Sequence, residues 1–303
     1  MSLGNTRVCV IFFVVLCPSL FFSASSFSAT QVNLSDLPLE YGKVIYRFNE
    51  ASPNQLFIIG MSHPDALTGS KRSNTVKVQA EVYRLGDWLI HQAGLELLLP
   101  EGYMEKNPRK MEPNRLGNNT QAACAPLRDI KTLEDTLSDT STFVNAEKLL
   151  KKYHTLSMRQ VEDSQLYNSV RDALYKLVNG KSDSCDVAAL RSEVDYWEDR
   201  RTAAILQKIP GIIDQEFEEG DIHRKEAILT IGMFHLHTIM DYLNQHQIDI
   251  QPPPEYSKEG RYTAELNLLK ENFGVTILLP RELLNDQRVL ELNKLDKGLS
   301  ISR

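Results

Sequence analysis

Two histidines in this chain stand in nearly the same setting. Gly60-Met61-Ser62-His63 follows the apolar run Leu56-Phe57-Ile58-Ile59, and Gly232-Met233-Phe234-His235 follows Ala227-Ile228-Leu229-Thr230-Ile231. An imidazole just past the carboxyl end of a strand lies where open α/β sheets bind ligands. It serves there as a base, a proton carrier or a metal ligand near neutral pH. A single such His has a plainer reading, a neutral ring satisfied by a backbone carbonyl; the pair in matching positions favours chemistry. Glu101 closes the next apolar run, Leu95 to Leu99, in Pro100-Glu101-Gly102. A carboxylate beside two imidazoles is either the oxygen ligand of a His/His/carboxylate metal site or the base that activates water. Its plain alternative is a solvated turn residue.

Other ionisable residues rank lower. His237 shares a face with His235 only on an extended segment and diverges from it on a helix; Leu236 to Leu243 reads as helix. Glu81 borders the apolar stripe of its helix and is expected to be exposed. His91, His154, His223 and His246 lie in polar or helical surroundings. The run Glu198-Asp199-Arg200-Arg201 is, by itself, a solvated helix face.

The elements that must position these residues repeat. Val44 to Phe48 and Gln55 to Gly60 read as strands, expected to form a hairpin across the turn-rich Asn49 to Asn54. Val78, Val82, Leu85 and Leu89 recur at helical spacing, with Gly94 as the stop. Strand, helix, strand is a parallel crossover unit. The pattern then returns: Gly94-Leu95-Glu96-Leu97-Leu98-Leu99-Pro100-Glu101 is echoed by Gly274-Val275-Thr276-Ile277-Leu278-Leu279-Pro280-Arg281, again after a helical segment. The expected fold is α/β, with two related strand-helix-strand halves forming a central, largely parallel sheet. If an approximate two-fold relates the halves, His63 and His235 face one cleft. Between them, from about residue 103 to 225, helical patterns (Phe143 to Met158, Val161 to Val178, Val187 to Lys208) follow a long loop over Gly102 to Thr132 and read as an insertion.

Residues 1–28 carry one charge, Arg7, followed by the apolar run Val8 to Phe22 and small residues. That is the layout of a cleavable signal peptide, shorter than a membrane span. The expected product, residues 29–303, is one domain, secreted or periplasmic, with no stable span. Loss of Arg7 moves the formal charge from −6 to −7, and no basic patch recommends nucleic acid. Cys124 and Cys185 remain, and a disulfide between them is expected in an oxidising compartment.

These elements resemble the TraB/TIKI (GumN-like) group within the wider erythromycin-esterase and ChaN-like proteins. That group is marked by two GxxH motifs, an early strand ending in Glu and an acidic-Arg-Asn motif ahead of the second GxxH. Here the motifs are Gly60 to His63 and Gly232 to His235, the Glu is Glu101 with Glu96 as the alternative alignment, and Asp199-Arg200-Arg201 matches the third element with Arg201 in place of Asn. The resemblance implies catalytic or metal-ligating roles for His63, His235 and Glu101, and an anion-holding role for Arg200. It implies hydrolysis of a peptide or small-molecule ester, with or without a divalent metal (Mn, Co or Zn). The alternative it carries is a non-catalytic haem- or iron-binding protein, for which Tyr46, Tyr83 and Tyr103 are available ligands.

Overall fold

The strands at the centre of the fold have no polar face. The computed structural model describes residues 32–62, 73–104, 129–139, 144–179 and 187–296. In chain order, β1 is Gly42–Phe48, β2 is Asn54–Met61, α1 is Ser73–Ala93 and β3 is Leu97–Pro100. There follow α2 (Ile130–Ser138), α3 (Ala146–Tyr153), the two-residue β4 (Ser157–Met158), α4 (Ser164–Asn179) and α5 (Val187–Glu219). The remainder is β5 (Glu226–Gly232), α6 (Met233–Gln245), β6 (Gln247–Ile250), β7 (Tyr262–Glu265), α7 (Asn267–Lys270), β8 (Phe273–Pro280), α8 (Arg281–Leu284) and α9 (Gln287–Leu292). β5 and β8 are buried along their whole length and β2 from Leu56 onward. Strands covered on both faces read as unbroken apolar runs, the habit of parallel sheets.

The strand order is β1-β8-β2-β5-β3-β4. Five strands run parallel, and β1 pairs antiparallel with β8 at one edge. The fold is therefore the expected α/β class with a largely parallel sheet. The expected hairpin is not formed, because β8 lies between β1 and β2. The polar residues between β1 and β2 receive β8 instead of making a tight turn: Asn49 Nδ2 donates to Asn272 Oδ1 at 3.0 Å and Asn54 Nδ2 to the Glu271 carbonyl at 3.0 Å.

The two halves, β2-α1-β3 and β5-α6 through β8, interleave. Their first strands, β2 and β5, are central neighbours; β3 pairs with β5, and β8 with β2. Exchanging the halves reverses the order β8-β2-β5-β3 onto itself. In register, Met61 lies opposite Gly232, so the last residues of β2 and β5 end side by side at one edge of the sheet. Gly60 is required for packing more than for turning: a Cβ there would stand 2.6 Å from both Leu236 Cδ1 and Leu279 Cδ2. At the other end of the crossover, α1 buries Val78, Val82, Leu85 and Leu89. It stops at Gly94, whose φ is +66° and whose N–H reaches the Ile90 carbonyl at 2.8 Å.

Among its described residues, the regular elements of the insertion are helices and β4, which extends the sheet beside β3, and α5 runs on through Pro210 to Glu219. Cys124, Cys185 and the segment 1–28 lie outside the described residues, and so does His63. No helix among the described residues is long and apolar enough to cross a membrane.

Candidate functional site

Glu101 reaches its position through the turn that ends β3. Its N–H donates to the Thr230 carbonyl at 2.9 Å, carrying the pairing with β5 one residue past Pro100. Tyr103 N–H then closes on the Pro100 carbonyl at 3.3 Å, with Gly102 at φ +74°. That is a type II turn, whose third residue requires the left-handed backbone that glycine adopts freely. Pro-Glu-Gly is thus a turn, as its composition implies, yet the Glu101 side chain is 7% exposed and points under the end of β5. One carboxylate oxygen accepts the Gly232 N–H; the other lies 3.2 Å from His235 Nε2 and 2.7 Å from Arg201 Nη2.

His235 is the third residue of α6 and 2% exposed. The strand stops at Gly232, so His237 falls on another face of the helix and pairs with Asp241 at 3.2 Å. The ring of His235 is held at both nitrogens. Nδ1 meets Thr202 Oγ1 at 2.6 Å, and Thr202 Oγ1 donates to the Glu198 carbonyl at 2.7 Å. A hydroxyl has one proton; with it on the Glu198 carbonyl, Nδ1 is the donor of its pair. Nε2 is then the ring nitrogen left to the carboxylates, Glu101 and, at 3.6 Å, Glu198.

Burial alone lowers the His235 pKa, but the charge and hydrogen bond of Glu101, aided by Glu198, outweigh it and hold the value above the ordinary histidine range. A raised folded-state pKa stabilises the protein fully below the unfolded value of about 6.5. That contribution is lost as pH rises through the folded value.

Arg201, not Arg200, supplies the cation. Its guanidinium, 6% exposed, binds Glu162 through two nitrogens, Glu101 at 2.7 Å and Glu198 at 3.4 Å. Burial lowers its pKa, and the hydrogen bond to Glu162 with three surrounding carboxylates raises it further than burial lowers it. Arg200 lies one residue, about 100° of helix, away from that face. Its guanidinium stacks 4.6 Å from the Tyr262 ring centroid and donates to Tyr196 Oη. Asp199 bonds Thr238 Oγ1 at 3.0 Å, joining α5 to α6; burial raises its pKa. The alternative alignment at Glu96 falls at the far end of β3, where that carboxylate holds His223.

Glu162 is the member that sequence reasoning missed. It is 1% exposed, and one oxygen also accepts the Gly102 N–H at 3.0 Å, tying it to the Glu101 turn. Nothing in Val161-Glu162-Asp163 sets it apart. Glu198 and Arg201 had a readable signal: with Val194, Thr202, Ile205 and Ile209 they lie at helical spacing along the buried stripe of α5. Charges inside an apolar stripe are not a solvated face.

The described donors suit proton chemistry better than a divalent metal. Both oxygens of Glu101 are already engaged by N–H groups, and the Arg201 cation is 2.7 Å from the oxygen a metal would share with His235. Of the tyrosines, Tyr83 is buried in the core against Tyr153, and Tyr46 donates to Asn244 Oδ1 at 2.8 Å. No protein-family model, curated protein or solved structure matches the chain.

Proposed function

We propose that the chain is an exported hydrolase of an ester or amide bond whose water is activated by the Glu101–His235 pair without a metal at that site. The observation that carries this reading is the buried contact of a carboxylate with an imidazole at the carboxyl edge of a parallel sheet, clamped by Arg201. Burying three carboxylates, a guanidinium and an imidazole stabilises a fold poorly compared with apolar packing, and perturbed titrating groups gather where chemistry is done. Arg201 and the Gly232 N–H fix the Glu101 carboxyl in place beside the ring. With its own proton on Nδ1, neutral His235 takes the proton of the attacking water at Nε2, where the neighbouring Glu101 stabilises the imidazolium so formed, and returns it from Nε2 to the leaving group. His63, two residues beyond the end of β2, is the second imidazole of the reading, in line with the TraB/TIKI resemblance; export rests on Arg7 and the apolar run after it.

The test is turnover of a panel of chromogenic esters and short peptides by the purified chain, Glu101→Gln and His235→Ala, with and without chelator. Loss of turnover by about 10² or more in both variants, with circular dichroism unchanged and no effect of chelator, supports the reading. No turnover by the wild-type chain, or turnover that survives either substitution, overturns it.

A further inference from the structure

A second group of chemistry-bearing side chains lies on the outer side of α1, away from the β3–β5 edge. Asp87 and His91 are four residues apart on one face of α1, and His154 follows the last turn of α3. A carboxylate oxygen and one ring nitrogen of each histidine lie within 4.8 Å of one another. His154 is 10% exposed at the side chain, and its Nε2 lies 2.9 Å from Asp87 Oδ1. Yet neither atom forms a hydrogen bond of acceptable geometry among the described residues, although both are shut off from solvent. The two are close without the N–H aimed at the oxygen. Buried polar atoms are otherwise paired almost without exception, so a nitrogen and an oxygen facing one point with no proton aligned between them want a third party.

A cation is the third party that satisfies both. Donors about 2.1 Å from a zinc ion stand roughly 3.0 Å apart at a right angle and 3.4 Å apart at the tetrahedral angle, close to the separation here. Two imidazoles and one carboxylate are a borderline N/O set that suits zinc. His91, 47% exposed at the side chain, leaves a way in for the ion and room for water as fourth ligand. Its Nδ1 donates to the Asp87 carbonyl at 2.7 Å, which fixes the tautomer and leaves Nε2 as the lone pair that His91 offers the ion. The two imidazoles meet edge to face, 5.4 Å apart at 82°, so their in-plane lone pairs can converge without the rings stacking.

We propose that Asp87, His91 and His154 form a zinc site that staples the exit of α3 to α1. The same seam is already tight: a Cβ on Gly86 would lie 2.6 Å from Leu150 Cδ1. The ion fixes the helical insertion to the core at the point where the chain turns toward β4, and it takes no part in hydrolysis.

The experiment is zinc titration of the purified chain by calorimetry, repeated on His91→Ala, Asp87→Asn and His235→Ala, with thermal melts of each variant. His91 is half exposed, so its truncation leaves the fold intact even if Asp87→Asn does not. The expected result is one equivalent bound by the wild-type chain and by His235→Ala, and affinity lower by at least about tenfold in His91→Ala, the loss that removing even an outer partner of a metal ligand causes. Zinc raises the Tm of the first two and leaves that of His91→Ala unmoved. Equal zinc affinity in wild type and His91→Ala, loss of the equivalent in His235→Ala, or no binding by the wild-type chain each overturns the proposal.

Discussion

The ends of β3 and β8 occupy corresponding places in the two interleaved halves, and they have been put to opposite uses. After β3 the chain makes a glycine turn and drives Glu101 beneath β5, into a cluster with Glu162, Glu198, Arg201 and His235. After β8 the same Pro is followed by Arg281, and the chain goes straight into the short helix α8. There Glu81 from α1, buried, accepts the Glu282 N–H at 2.7 Å, with the Glu282 carboxylate, Arg281 and Arg84 close by. Burial lifts the Glu81 pKa to about 7, against a lowering by that hydrogen bond. One repeated scaffold thus carries a dense buried charge network at one edge and, at the other, a helix contact built on the buried carboxyl of Glu81. The repeat supplies the sheet, and the chemistry comes from what each half lets into the space beyond it.

The sharpest way to break this comparison is to remove the cation from the β3 edge. Arg201→Met leaves Glu101, Glu162 and Glu198 buried together without it. The expected loss is about 3–5 kcal/mol in urea unfolding, and Arg201→Lys recovers only part because the bidentate fork is gone. Unfolding within about 1 kcal/mol of wild type would mean the network is solvated and weak.

At the β8 edge the expected effect is opposite in sign. The folded-state pKa of Glu81 is raised, so the unfolded chain releases its proton first, and stability falls as pH rises from about 4.5 through about 7. Glu81→Gln keeps an acceptor for the Glu282 N–H and removes that fall, giving a gain of roughly 2–4 kcal/mol at pH 8 and little at pH 4, at 1.36 kcal/mol per unit. Unfolding curves at the two pH values decide it; an equal effect at both shows that folding does not shift the Glu81 pKa.

The smallest effect is expected at the neighbour of Arg201. Arg200→Ala removes stacking on Tyr262 and costs about 0.5–1 kcal/mol, and it leaves turnover unchanged within about twofold. A large loss of turnover would return Arg200 to the site and undo the assignment of the clamp to Arg201.

What could be read in the chain beforehand divides along the same line. The parallel strands, the α1 stripe and the stop at Gly94 follow from local pattern, because apolar runs and periodic stripes are local signals; Glu101 beside His235, 134 residues away, followed from placing both at the carboxyl ends of strands in one sheet. The partner of β1 does not: its neighbour β8 is set by which strand fills the gap beside β2, and nothing within residues 42–61 specifies that. The choice between Arg200 and Arg201 needed the helix phase to be counted from Val194 and Ile205, since adjacent residues with the same side chain differ only in direction. Glu162 lay beyond any local reading, because its role depends on a loop that returns beside the β3 turn from 60 residues away.

The insertion of β8 between β1 and β2 also sets an order of events. Phe48 pairs with Val275, residues 227 apart in sequence (275 − 48), and such distant pairings are made late and slowly. During synthesis β1 and β2 have no neighbour on that side until residues 273–280 have emerged. A sheet completed only by β8 leaves the chain open for a long time, which exposes it to aggregation and, on the export proposed above, would keep it unfolded while it is threaded through a narrow pore.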